Sequence, residues 1–283
     1  MREIKLVTFD LDETALDSNK CLLPSTVQTV KKLVDIGIEV VPATGRVFTG
    51  VPEEVRDLPG VRYIIANNGG GVYDNKTGEI LLEDGIDPIE AVPVLLDLET
   101  LPVMADPFVK DGAYMCKKNI PLIDKMATSE PMREYIRSTR RVVDSVARHI
   151  AESKEIIQKI TINFGSDENG DRICYDETWE ILNNYPELNS VSGGTNNIEV
   201  TRRGVSKASA LEWLGAKLGI DASEMMAFGD SGNDAEMLEY VGLGIAVANA
   251  EQIALDVADY ITESNNEDGI AKAVEKYWSK FEE

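Results

Sequence analysis

The sequence predicts an α/β protein: a doubly wound, parallel-sheet core interrupted by an inserted α+β domain. Three observations predict it. Short apolar runs alternate with amphipathic helical stretches at both ends of the chain. Those runs are apolar at nearly every position, as strands buried on both faces of a parallel sheet must be. Between the two ends, about 115 residues carry a different mixture of strand and helix patterns.

The first run, Ile4 to Phe9, reads as a strand that stops at Asp10. Pro24 then opens a helix with Val27, Val30, Leu33 and Val34 on one face, and Gly37 suits its C-terminal cap. Ile38 to Val41 reads as the second strand and Tyr63 to Ala66 as the third. The turn-rich Asn67-Asn68-Gly69-Gly70-Gly71 follows, and a hairpin is predicted through Asp74 to Gly78. Near the carboxyl end the alternation returns, with strands predicted at Ile198 to Thr201, Met225 to Phe228, Leu243 to Val247 and Tyr260 to Thr262. Residues 1–82 and 197–283 are thus assigned to the core and residues 83–196 to the insertion.

Composition narrows the function. The 283 residues hold 28 Lys plus Arg against 50 Asp plus Glu, a net charge of −22, and 43% of them are hydrophobic. Such a chain lacks the cationic footprint that displaces counterions from nucleic acid, so no nucleic-acid partner is expected. No apolar run approaches the roughly 20 residues that cross a bilayer, and Glu3, Lys5 and Asp10 interrupt the region a signal peptide would need; no membrane partner is expected, and a cytoplasmic location is. Oligomeric state has no signature here. Cys21, Cys116 and Cys174 are odd in number and widely spaced, which argues against a disulfide framework or a zinc site. The one histidine, His149, lies in a polar helical stretch and reads as solvated, leaving the chemistry to carboxylates and lysines.

Ligands of an open parallel sheet gather beyond the carboxyl ends of its strands. Three strands there end in Asp10-Leu11-Asp12-Glu13-Thr14, in Ala43-Thr44-Gly45-Arg46 and in Gly229-Asp230-Ser231-Gly232-Asn233-Asp234, and Lys207 opens a helix after Arg202-Arg203-Gly204. One carboxylate of an Asp-x-Asp pair can attack phosphorus while its neighbour protonates the leaving alkoxide and then activates water. Asp230 and Asp234 are hard oxygen ligands for Mg²⁺. At roughly 4 Å and an effective dielectric near 20, a phosphate dianion meets about 8 kcal/mol of repulsion from a single carboxylate. Lys207 alone cannot offset the whole cluster, so a divalent cation is required. Thr44 offers a hydroxyl and nearby amides to a phosphate oxygen, and Lys207 holds the nucleophile.

With these four motifs on the page, the sequence resembles the haloacid dehalogenase superfamily, specifically the Cof-type phosphatases with a large cap between the second and third motifs. The resemblance extends to Asn68-Gly69, Ile198-Glu199-Val200, Ala246-Val247-Ala248-Asn249-Ala250 and Asn266-Glu267-Asp268-Gly269-Ile270-Ala271. It implies a Mg²⁺-dependent phosphomonoester hydrolase acting on a small phosphorylated metabolite, a sugar phosphate above others. It also implies Asp10 as nucleophile, Asp12 as general acid and base, and Lys207 with Thr44 as phosphate anchors. Gly45, Arg46 and Asn233 join the phosphate and substrate contacts. The metal falls to Asp10, Asp230, Asp234 and Asp12, the last through its main-chain carbonyl. Glu13 departs from the family pattern, which has glycine or a small residue there, and is expected to point into solvent.

Three competing activities weigh less. A dehalogenase of the same superfamily would use neither Asp12 as acid nor magnesium; a phosphosugar mutase would need a sugar bisphosphate activator; a phospho-accepting binding module would carry neither the insertion nor the late Gly229 to Asp234 loop. No Gly-x-Gly-x-x-Gly or P-loop lysine motif is present. In the insertion, Lys110 to Lys159 holds 11 basic and 7 acidic residues. Arg133, Arg137, Arg140 and Arg141 recur at helical spacing and read as a solvated or salt-bridged face, or as a surface attracting anionic substrates. Asp111-Gly112-Ala113-Tyr114 resembles a loop of Cof-type caps that shapes the substrate pocket, so the insertion is expected to act as a lid that sets substrate choice.

Overall fold

The computed structural model describes residues 3–110, 112–193 and 197–279. Its chain opens with β1 (Leu6–Phe9), α1 (Pro24–Asp35), β2 (Glu39–Pro42), α2 (Glu53–Arg56), β3 (Tyr63–Ala66), β4 (Gly71–Asp74) and β5 (Ile80–Glu83). It continues through α3 (Pro88–Leu98), β6 (Met104–Val109), β7 (Gly112–Cys116), α4 (Glu130–Thr139), β8 (Arg140–Val143), α5 (Val146–Ser153), β9 (Lys159–Asn163), α6 (Tyr175–Leu182), β10 (Leu188–Gly193) and β11 (Asn197–Arg202). The last stretch holds α7 (Lys207–Leu218), β12 (Met225–Gly229), α8 (Ala235–Tyr240), β13 (Leu243–Ala246), α9 (Gln252–Val257), β14 (Tyr260–Ile261) and α10 (Gly269–Ser279). The chain divides into two compact units, one of residues 1–82 with 206–283 and the other of residues 83–205.

The first unit is built on a five-stranded parallel sheet in the order β14-β13-β12-β1-β2. Alternate residues of its strands enter two cores. Val7, Phe9, Met226 and Phe228 pack with Val30 and Leu33 of α1 and Val274 of α10. Leu6, Val41, Met225 and Ala227 pack with Leu211 and Leu214 of α7 and Met237 of α8. Both faces are therefore covered, which is why these strands read as continuous apolar runs. Pro24 does stand in the first turn of α1 and Gly37 does follow its end at φ +85°. The buried face of α1 is Thr26, Thr29, Val30 and Leu33, whereas Val27 is exposed.

The second unit holds a six-stranded sheet, β10-β11-β9-β6-β7-β8, antiparallel except between β7 and β8. Helices α3, α5 and α6 pack on it through Val94, Leu95, Ile150 and Leu182, against Ile160 and Ile162 of β9 and Val200 of β11. Among the described residues, no helix is long and apolar enough to cross a membrane.

Several expectations are corrected. Tyr63 to Ala66 is not a member of the parallel sheet: it pairs antiparallel with β4 in a separate three-stranded sheet, and a parallel bridge joins Ile65 to Ala43 just beyond β2. Ile198 to Thr201 belongs to the insertion's sheet, where it pairs antiparallel with β9 and β10. The second junction consequently falls at Val205/Ser206, not at residue 197. The four arginines form no stripe, because α4 ends at Thr139 and Arg140 and Arg141 continue as a strand. Arg133 and Arg137 pair with Glu130, and Arg137 also with Asp124. Arg140 is buried against Asp106 at 3.1 Å. His149 packs against Tyr114, with ring centroids 4.1 Å apart and the rings tilted by 48°, and is not simply solvated. Of the segment 111–114, Asp111 lies outside the described residues.

Candidate active site

Parallel register sets the site. Phe9 lies opposite both Phe228 and Pro42, so the next residues of all three strands leave the sheet at one edge. Asp10 follows β1, Ala43 and Thr44 follow β2, and Asp230 follows β12. Lys207 is the first residue of α7, whose N-cap Ser206 accepts a hydrogen bond from Ser209 N through its hydroxyl while its own amide donates to Ser209 Oγ. Gly69 lets α7 start here: it has φ +98°, and a Cβ at that position would stand 2.0 Å from the Ser206 carbonyl oxygen.

Lys207 Nζ donates to Asp10 Oδ1 at 2.6 Å and to Asp234 Oδ1 at 2.7 Å, and its side chain is wholly buried. The other oxygen of Asp234 accepts from the amides of Asp230 and Ser231 at 3.1 and 3.2 Å, which orders the loop after β12. Asp230 Oδ1 accepts from the Thr14 hydroxyl at 2.6 Å. Asn233 Oδ1 lies 3.4 Å from Lys207 Nζ, and its amide donates to Asn68 Oδ1 at 3.2 Å. Thr44 is buried, and its hydroxyl oxygen accepts from the Arg46 amide at 3.1 Å. The loop after β2 and the turn after β3 meet through the Asn68 main-chain amide, which donates to the Thr44 carbonyl at 3.0 Å, and a Cβ at Gly45 would come 2.8 Å from Asn68 Oδ1 and require that side chain to shift.

Three carboxylates against one ammonium leave this pocket short of positive charge. Burial raises the Asp10 carboxyl well above the usual range; Lys207 pulls it down, while Asp234 and Asp230 push it up. Burial, with Asp234 beside it, likewise raises Asp230 to about 7, despite the Thr14 hydrogen bond and the charge of Lys207. Lys207 is buried too, but Asp10 and Asp234 more than compensate and hold it protonated. Oxygens of Asp10, Asp230 and Asp234 lie within 4.8 Å of one another, a hard, anionic, buried donor set that fits a small divalent cation.

Asp12 stands apart from that triad. Its carboxylate is gripped by Arg46, with Nε 2.7 Å from Oδ2 and Nη2 2.7 Å from Oδ1, and Lys20 lies 3.4 Å away. Burial pulls Asp12 upward, but the hydrogen bonds and charge of Arg46, then of Lys20, outweigh it and leave Asp12 below the ordinary carboxylate value. Two features here were not predicted from the sequence. The guanidinium of Arg46 pairs with Asp12. Glu13 is half-exposed but not free, since it pairs with Lys20 at 2.6 Å and has φ +61°, the left-handed region that glycine would occupy without strain. Thr14 and Asn68 are neighbours of the site to which the sequence reading assigned no role. Their signals were present, Thr14 two residues after Asp12 and Asn68 just beyond the end of a buried strand.

The model of the haloacid dehalogenase-like hydrolase family matches residues 7–274. Over 280 residues the chain is 30% identical to the 5-amino-6-(5-phospho-D-ribitylamino)uracil phosphatase of Bacillus subtilis, covering 98% of this chain and 96% of that one. It is also 30% identical to a phosphoglycolate phosphatase of Methanoculleus marisnigri, with 97% of each chain covered. Among solved structures, a haloacid dehalogenase-like hydrolase from B. subtilis superposes with a TM-score of 0.81 at 27% identity, covering 96% of this chain and 99% of that one.

Proposed function

The chain belongs to the haloacid dehalogenase-like hydrolases and is a phosphatase; on that premise we propose that it hydrolyses a small phosphomonoester, a sugar or related polyol phosphate, with Mg²⁺ and through an aspartyl phosphate on Asp10. One observation carries the reading: a wholly buried lysine bridges Asp10 to Asp234 while three carboxylate oxygens converge beside it. The names of similar proteins support the substrate class, since one acts on a phosphoribityl compound and another is a sugar phosphatase.

In the mechanism, Asp10 attacks phosphorus. The bond to the ester oxygen breaks with its electron pair on that oxygen, which takes a proton from Asp12. Asp12 then accepts a proton from water as the water oxygen attacks phosphorus, releasing phosphate and restoring Asp10. Lys207 keeps the Asp10 carboxylate aimed and balances charge on the transferring group, and Thr44, with its neighbouring amides, meets a second phosphate oxygen. Asp10, Asp230, Asp234 and the Asp12 main-chain carbonyl would hold Mg²⁺, which when bound screens the carboxylates from the phosphate dianion. Substrate choice belongs to residues 83–205, because the first unit's motifs recognise a phosphoryl group but little of the organic portion.

A phosphate-release screen over phosphorylated metabolites, in Mg²⁺ and in chelator, tests this. Turnover in Mg²⁺ and its loss in chelator are expected, together with a beryllofluoride adduct on Asp10. Full activity in metal-free buffer would refute the metal. Inertness toward every phosphomonoester would refute the hydrolase.

A further inference from the structure

Lys207 and Arg46 engage different aspartates. Lys207 spans Asp10 and Asp234, whereas the guanidinium of Arg46 lies across both oxygens of Asp12. Arg46 is itself fixed at several points. Its amide donates to Thr44 Oγ1 at 3.1 Å, its carbonyl accepts from the Asn67 amide at 2.9 Å, and Nη1 donates to the Gly50 carbonyl at 3.3 Å. A guanidinium held at both ends and engaged bidentately restrains the carboxylate it grips in distance and in plane, which a point charge does not. Lys20 lies closer to Glu13, at 2.6 Å, than to Asp12, at 3.4 Å, so Arg46 is the nearer of the two cations on Asp12.

We propose that Arg46 is a positioning residue for Asp12: its fork holds the proton-donating carboxyl in line with the leaving group and out of the acidic triad, and it contributes nothing to phosphate binding. This rests on the assignment of Asp12 as general acid and base. It gives Arg46 a different part from the phosphate contact that its motif implies. To act as the acid, Asp12 must first take up a proton from solvent, which requires one N–H of the fork to open and free one oxygen for it; the other N–H keeps the orientation while that proton passes to the leaving group.

The test compares wild type, Arg46→Ala, Arg46→Lys, Asp12→Asn and the Asp12→Asn/Arg46→Ala double variant on two esters. The p-nitrophenolate of p-nitrophenyl phosphate leaves without a proton; the alkoxide of glycerol 2-phosphate requires one. General-acid assistance is worth roughly 10²- to 10⁴-fold, so Arg46→Ala should lower kcat on glycerol 2-phosphate about tenfold more than on p-nitrophenyl phosphate. Inhibition by inorganic phosphate should stay within about twofold, since the phosphate contacts lie elsewhere. Arg46→Lys should recover only part of the loss. In the Asp12→Asn background the Arg46→Ala change should cost nothing further on either ester. Equal losses on both esters with weakened phosphate inhibition would overturn the proposal and return Arg46 to phosphate binding. So would additive losses in the double variant. If Asp12→Asn itself fails to separate the two esters, the acid/base assignment falls and the proposal falls with it. If Asp12→Asn separates them and Arg46→Ala does not, only the proposal falls. Thermal melts of all five proteins check that the half-buried Arg46 can be changed without unfolding the site.

Discussion

Replacing Lys207 by methionine removes the cation that pairs with Asp10 and Asp234 while keeping most of its volume. At distances of 2.6 and 2.7 Å and an effective dielectric near 20, each of its two ion pairs carries about 6 kcal/mol of gross attraction. The carboxylates, within 4.8 Å of one another, repel by at least about 3.5 kcal/mol per pair on the same scale. Lysine and triad are therefore close to balance, and stripping out the lysine leaves the repulsion uncompensated. Relaxation and the relief of desolvating an ammonium return most of the gross figure, leaving a net loss of about 3 to 5 kcal/mol, as for other broken buried pairs. Urea unfolding of wild type and Lys207→Met, each with chelator and with millimolar Mg²⁺, reads this directly. In chelator the variant should lose that amount. In Mg²⁺ it should recover more than half, because a divalent ion bound only by the folded state supplies the missing charge. A loss under 1 kcal/mol, or one that Mg²⁺ does not reduce, would refute the charge-balance argument.

Asp10→Asn should fold, lose all detectable turnover and form no beryllofluoride adduct; measurable steady-state hydrolysis would remove the covalent step. Gly69→Ala should lower both stability and kcat, since its methyl cannot coexist with the Ser206 carbonyl at the start of the helix bearing Lys207; unchanged kinetics would show that α7 tolerates the shift. In the second unit, burial raises Asp106 from 3.8 to about 7, with Arg140 offsetting part of it. Because the folded value exceeds the unfolded one, this stabilisation is complete below about pH 4 and is lost as pH rises toward 7, by up to about 4 kcal/mol. Asp106→Asn should flatten that part of the pH dependence of urea unfolding, and an unchanged slope would contradict it. Exchanging Gly112 to Tyr114, which the sequence predicts as a loop and which form the start of β7, should alter the ranking of substrates while sparing Mg²⁺ binding, read by the same phosphate-release screen and by titration calorimetry.

The parallel sheet was legible because burial on both faces leaves a continuous apolar signature in Leu6 to Phe9 and Met225 to Phe228. Tyr63 to Ala66 misled for the same reason: it too is buried on both faces, and local sequence does not name a strand's partner. In Asn197-Ile198-Glu199-Val200 the signal was present and underweighted. Ile198 and Val200 are fully buried while Asn197 and Glu199 are less so, the period-two pattern of an antiparallel strand. At the site, residue types at strand ends named the carboxylates and the lysine that the structure brings together. They could not reveal which way Arg46 turns, because its guanidinium is held by the Gly50 carbonyl of its own loop together with Asp12, which lies 34 residues earlier in the chain.

The interior position of β1, between β12 and β2, has a consequence for the order in which the protein is made. One neighbour, β2, is synthesised almost at once, but the other, β12, begins at Met225, opposite Leu6. At roughly 5 to 20 residues per second, the intervening chain keeps that edge of β1 unpaired for about 10 to 40 s. Residues 83–205, which are contiguous, are complete before then and can fold first. An N-terminal fragment emerging from the ribosome thus presents an apolar strand without its partner and Asp10 without Lys207. Nascent chains arrested before Met225 should resist protease in the insertion while remaining cleavable around β1.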